Sequence, residues 1–223
     1  MTVTRWWLVR HAPVINPART LYGQSEVPAD LSDTAALAAL RAVLPSGARW
    51  LTTPLSRTRD TAAALGVTET MAEPDLAEQH FGHWQGLTWD AIATAHPRTS
   101  ALFWDEPAAA VPPGGESFDA LARRVEAALL RHCRTGTEED CRTGTGEDCR
   151  TGTGDEDVVA VIHAGPIRAA VAVALGIPAA RTLPVRIDPL SLTRLDRVAV
   201  PGGDAVWRLC GVNLPPGASL TPP

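Results

Sequence analysis

The sequence predicts an α/β fold: a mostly parallel central sheet with helices on both faces. Two observations carry this. Short apolar runs alternate with helical patterns along the chain. The run "VVAVI" at 158–162 is apolar throughout and largely β-branched, as in a parallel strand buried on both faces. A third observation points past the fold. Two of the apolar runs end in a histidine, as "LVRHA" with Arg10 and His11 and as "VIHAG" with His163.

The elements follow in order. Residues 5–9 form a strand too short for a helix. Residues 12–31 are rich in Pro, Gly, Asn and Ser and read as a long loop. Ser32 is the expected N-cap of a helix over 33–44, ended by Pro45 and Gly47. Residues 48–52 read as a second strand, and "TPLSRTRDTAAALG" turns into a helix that Gly66 closes. Residues 86–116 are irregular with helical patches. Ser117 caps an amphipathic helix, "FDALARRVEAALLRHC". After the strand at 158–162, "AGPIRAAVAVALG" is a further helix, and 190–198 and 205–212 read as final strands.

A chain of 223 residues with 45% hydrophobic content fits one domain with a substantial core. Its net charge of −5 gives no reason to expect nucleic acid or an anionic membrane as partner. Every cationic residue is an arginine, which grips oxyanions with two prongs where lysine cannot. No apolar run approaches a membrane span and none has signal-peptide flanks, so a cytoplasmic protein is expected, monomeric or homodimeric. The four cysteines form no disulfide framework. Three of them open a direct repeat, "CRTGTEED", "CRTGTGED", "CRTGTGDED", over 133–157. Zinc cysteines come as close pairs, and these do not. Gly, Thr, Asp and Glu cannot bury a core, so the repeat reads as a flexible surface insertion.

Strands of an open parallel sheet present ligand-binding residues just past their carboxyl ends. A single histidine there is more often a satisfied core residue, but two at matching strand ends can converge in one crevice. Arg57 and Arg59 stand where a helix begins, a place that favours anions. Arg59 also fits as a solvent-facing residue. Glu78, in "LAEQHFGHWQG", precedes a loop at Gly82 and on its own would read as a surface carboxylate.

"LVRHAPV", "LYGQSEVPADLSD", "TTPLSRTRDTAAALG", "LAEQHFGHWQG", "PPGGESFDALARRV" and "VIHAGPIRAAV" together resemble, in order, the successive motifs of the histidine phosphatase, or phosphoglycerate mutase-like, superfamily. The resemblance covers roughly 5–175 and implies that family's three-layer fold. It implies that His11 is a nucleophile that becomes a phosphohistidine, that Arg10, Arg57 and His163 hold the phosphate, and that Glu78 is the general acid. Asn16 and Gln24 fall where the family contacts phosphate or substrate, and Ala164 follows the second histidine in the same pocket. Three departures stand out. Ala12 replaces the family's usual Gly, Pro13-Val14 replaces an acid and a hydroxyl residue, and Ala164 precedes Gly165. Alanine keeps its backbone N–H, but the hydroxyl near position 14 is lost.

The chemistry agrees with these roles. Phosphoryl transfer needs positioning and positive charge around three oxygens, which two arginines and a histidine supply without a metal or cofactor. An imidazole nucleophile splits the reaction into two easier steps, and Glu78 can protonate the leaving oxygen.

The segment 86–116 is short for a mutase and holds only Arg98 against Asp90, Asp105, Glu106 and Glu116. Trp84, Leu87, Trp89, Phe103, Trp104 and Phe118 add apolar surface. Such a lid suits a phosphomonoester with a larger, less charged body. The stretch "LFWDEPAAAVPPGGESFDALARRV" is similar to that of α-ribazole phosphatases of cobalamin synthesis, which implies α-ribazole 5'-phosphate as substrate. The alternatives are a cofactor-dependent phosphoglycerate mutase, a broad-specificity sugar-phosphate phosphatase, and a catalytically inactive phospholigand-binding module.

Overall fold

The computed structural model describes residues 1–133, 154–200 and 202–218. Strands β1 (Thr2–Arg10), β2 (Arg49–Thr52), β3 (Met71–Ala72), β4 (Glu156–Ile162), β5 (Leu192–Ala199) and β6 (Val206–Leu214) form one sheet, ordered β3-β2-β4-β1-β5-β6. The first four in that order run parallel; β5 and β6 are antiparallel additions on one side. The α-helices are α1 (Thr34–Val43), α2 (Ser56–Ala64), α3 (Trp89–Ala95), α4 (Pro97–Asp105), α5 (Phe118–Arg131) and α6 (Ala164–Leu175).

The two-residue period of the strands divides the core into two layers. Trp6, Leu8, Val158, Ala160 and Ile162 face α5 and α6, where Leu121, Val125, Leu129 and Ile167 meet them. Trp7, Val9, Val159 and Val161 face the opposite way and pack with Leu37 and Leu40 of α1 and Ala62 of α2. Helices therefore cover both faces, as the sequence predicts.

Several boundaries differ. β1 starts at Thr2, because its first residues pair with Val198 and Ala199 of β5 despite lying before the apolar run. Asp33 caps α1, its Oδ1 accepting from Ala36 N at 2.9 Å; Ser32 stands one residue too early. The short β3 has no strand pattern in the sequence and exists because Met71 and Ala72 pair with Leu51 and Thr52.

Residues 134–153 of the repeat lie outside the described residues, but its ends do not. Cys133 is buried and accepts from Trp6 Nε1 at 3.4 Å, and β4 already begins at Glu156. The expected insertion at 133–157 is thus too wide at both ends. Among the described residues no helix is long and apolar enough to cross a membrane.

Candidate active site

Four parallel strands send their carboxyl ends to one crevice. β1 delivers Arg10 and His11, β4 delivers His163, β2 leads through Thr53 to Arg57, and β3 leads to Glu78. The register Arg10↔Ile162 and the bond from His11 N to Ile162 O (2.9 Å) place the two histidines side by side. Their ring centroids are 5.1 Å apart.

His11 is buried. Its Nδ1 bonds the Ala12 carbonyl at 2.6 Å. A carbonyl only accepts, so Nδ1 carries the proton and Nε2 keeps a bare lone pair. Burial pushes the ring down to about 3; Arg57 and Arg10 add to the shift and the Ala12 carbonyl opposes it. His163 is fully enclosed, with Nε2 against Thr53 Oγ1 at 2.9 Å. Burial, followed by His11, Arg57 and Arg10, holds it well below the usual histidine range.

Arg57 Nη1 donates to Ser25 O at 2.9 Å and Nη2 to Gly23 O at 2.6 Å, and its guanidinium lies over the Tyr22 ring. Gly23 has φ +46°, and a Cβ there would sit 2.5 Å from Gln85 Oε1, so the loop closes on Arg57 only with glycine. Arg10 Nη1 donates to Ile187 O at 2.6 Å. After these bonds, the buried atoms Arg10 Nε, Arg57 Nε and His163 Nδ1 remain without hydrogen-bond partners.

The Glu78 carboxylate is half-buried beside the N-terminus of α6. Its Oε1 accepts from Gln79 N at 3.0 Å, and Gly165 N approaches Oε2 at 3.5 Å. A Cβ on Gly165 would lie 2.2 Å from Oε1. Ala164 opens α6 with no side-chain cap on that terminus.

Not every expected contact has the expected partner. Gln24 reaches the site, but its Nε2 donates to the Glu78 carbonyl at 2.8 Å. Asn16 closes its own loop, donating to Thr20 O and accepting from Thr20 N and Oγ1. The Ala12 N–H is taken by Thr61 Oγ1 at 3.0 Å, so it is not open for an anion. The α2 terminus already holds a carboxylate: Glu26 accepts from Ser56 N at 3.0 Å. Arg59 is exposed. Glu116, counted as an acid of the lid, instead faces Arg124 at 2.6 Å. Of the lid aromatics, Trp84, Phe103 and Phe118 are buried, while Trp89 and Trp104 are exposed.

Thr53, Arg124 and Arg168 also belong to this neighbourhood. Arg168 lies on α6, one turn past Ala164, and donates to Val185 O at 2.8 Å. The spacing from Ala164 could have found it, whereas Thr53 and Arg124 enter through long-range contacts that leave no local pattern. Among the described residues, no group of three or more His, Cys, Asp or Glu side chains is placed to hold a metal ion.

Comparisons with known proteins point one way. The chain is 36% identical over 138 residues to a metal-independent phosphoserine phosphatase of Arabidopsis thaliana, a match covering 57% of each. The chain thus spans little more than half of that relative. It is 30% identical over 221 residues, 94% of each chain, to a glucosyl-3-phosphoglycerate phosphatase of Mycobacterium tuberculosis. The solved α-ribazole phosphatase of Shigella flexneri shares the fold, with a TM-score of 0.71 at 20% identity over 94% of this chain and 96% of that one. The model of the histidine phosphatase superfamily (branch 1) matches residues 6–199, and the chain belongs to that superfamily.

Proposed function

We propose that the chain is a metal-independent phosphomonoesterase that works through a phosphohistidine at His11. One observation carries this: around the bare Nε2 of a neutral His11, the buried nitrogens Arg10 Nε, Arg57 Nε and His163 Nδ1 have no protein partner. Buried donors without partners are costly, and the oxygens of an anion would satisfy the two arginine Nε–H groups, with His163 Nδ1 joining them when it carries a proton. His11 Nε2 attacks phosphorus while the bond to the leaving oxygen breaks. Glu78 hands that oxygen a proton. Water then attacks the phosphohistidine, Glu78 takes the water's proton, and inorganic phosphate leaves. The arginines stabilise the charge on the equatorial oxygens in both steps.

For substrate, the lid favours a phosphomonoester with a large, weakly charged body. Trp89 is 39% and Trp104 63% exposed, and Arg98 is the segment's one arginine. α-Ribazole 5'-phosphate fits this description. A sugar-phosphate substrate is the second reading, supported by the glucosyl-3-phosphoglycerate phosphatase relative that aligns over nearly the whole chain.

A panel of α-ribazole phosphate, glucosyl-3-phosphoglycerate, phosphoserine and 3-phosphoglycerate, scored for released phosphate in excess chelator, separates these substrates. Quenched turnover should trap acid-labile, base-stable phosphate on His11, and His11→Ala should abolish both label and turnover. Label on a serine or cysteine, or activity that needs added magnesium or zinc, would sink the mechanism.

A further inference from the structure

We propose that Arg124 of α5 is a positioning residue that acts on the reaction chiefly through Glu78. This rests on the reading of Glu78 as general acid. A guanidinium has five N–H donors in a fixed fork. In Arg124 all five find acceptors, and three of these are backbone carbonyls of the segment that ends in Glu78. Nη1 donates to Asp75 O at 2.7 Å and Ala77 O at 2.8 Å, and Nη2 to Glu78 O at 3.1 Å. The remaining two go to Glu116, from Nε at 3.0 Å and Nη2 at 2.6 Å.

Glu116 is the other half of the clamp. It takes His80 N on Oε1 at 2.9 Å and Gln79 Nε2 on its carbonyl at 2.9 Å, and its own N–H donates to His80 O at 2.8 Å. Residues on both sides of Glu78 are therefore tied to one charged, two-pronged pair. The segment itself has no regular structure between the 3-10 turn at 74–76 and the one at 82–84. Outside the clamp, Glu78 itself is tied to other elements by Gln24 on its carbonyl and a long contact from Gly165 N to its carboxylate. The helix supplies what the loop lacks. Ser117 caps α5, Leu121, Val125, Ala128 and Leu129 bury its apolar face, and Arg124 leans from the flank of that face.

The consequence is separable from phosphate binding. Arg124 has no donor left for substrate. Its loss should lower the step that needs the acid and reach the anion pocket only through the weak field Arg124 exerts on His163. A displacement of about 1 Å can cost about 10²-fold in rate.

The test is a double-mutant cycle on burst-phase phosphorylation by an alkyl phosphate, with Arg124→Met and Glu78→Gln singly and together. Arg124→Met should lower the burst by about 10²-fold and change vanadate affinity far less. Added to Glu78→Gln it should cost almost nothing more. With p-nitrophenyl phosphate, whose leaving group departs without a proton, the Arg124→Met loss should shrink. Arg124→Lys keeps charge but not the fork and should remain impaired. If Arg124→Met does not fold, Glu116→Gln replaces it in the same cycle, because it weakens the fork while keeping the shape. A lowered Glu78→Gln burst with additive losses overturns the positioning role alone. An unchanged Glu78→Gln burst removes the acid role and this proposal with it.

Discussion

His11 shows how much one side chain's surroundings decide. A histidine in water is half protonated near its ordinary pKa of about 6.5 and would be a poor nucleophile below it. Here the folded value is lowered to about 3, so the ring stays neutral and nucleophilic throughout mildly acid conditions. Nitrogen NMR of labelled protein should show His11 in the Nδ1–H form at pH 5; a ring titrating near its ordinary value would contradict the geometry. Gly165 makes the complementary point. Gly165→Ala places a methyl carbon 2.2 Å from the present position of Glu78 Oε1. Alanine suits the first turn of α6, so folding should persist. Turnover of alkyl phosphates should fall by about 10²-fold, the lower range for a displaced general acid. A fully active Gly165→Ala enzyme would show that the carboxylate can work from elsewhere.

At the scale of elements, α5 is the strut of the acid side of the site. Two turns beyond Arg124, Arg131 pairs with Glu73 at 3.1 Å and Asp75 at 2.8 Å, and His132 Nε2 meets Glu73 Oε2 at 2.7 Å. The bonds from His132, Asp75 N and Arg131 hold the Glu73 carboxyl down to about 2 against the opposing effect of burial. A carboxyl lowered on folding contributes stability that is present above its unfolded pKa and lost as pH falls toward the folded one. Glu73→Gln should therefore cost about 1–3 kcal/mol at pH 7. The gap to wild type should close between pH 4.5 and 2, as read by chemical denaturation across pH. A constant gap would show that the loss is packing and not charge. None of this network is visible in the sequence. Glu73 lies far along the chain from the neighbours Arg131 and His132, and ion pairs across elements leave no periodic trace. Apolar period and caps are local, so helices and strands were readable from residues alone, whereas β3 was not. It owes its existence to Leu51 and Thr52 beside it.

At the scale of the molecule, the sheet order turns scattered residues into a site. Strands β1 and β4 are far apart in sequence and neighbours in space, so the two strand-end histidines legible in the sequence meet in one crevice. The loop partners of Arg57 and the carboxylate at the α2 terminus could not be read there, because Gly23, Ser25 and Glu26 reach them only through the closed loop. The same assembly stores charge. Arg10 and Arg57 lie beside two histidines that burial keeps neutral. An oxyanion in the pocket should raise the His163 pKa, and binding should take up a proton. Sulfate tests this cleanly, since it stays a dianion across the working range. A ligand at 100 times its Kd adds about 2.7 kcal/mol of stability. For a chain of this size that corresponds to about 5–10 °C in Tm. The sign follows from linkage: if the bound state holds the extra proton, affinity falls as pH rises through the His163 pKa of the complex. The sulfate-induced rise in Tm should therefore be larger at pH 5.5 than at pH 8, and Arg57→Ala should remove it at both. Equal shifts at the two pH values would show that His163 binds the anion as a neutral ring. A shift that survives Arg57→Ala would place the anion outside the crevice altogether.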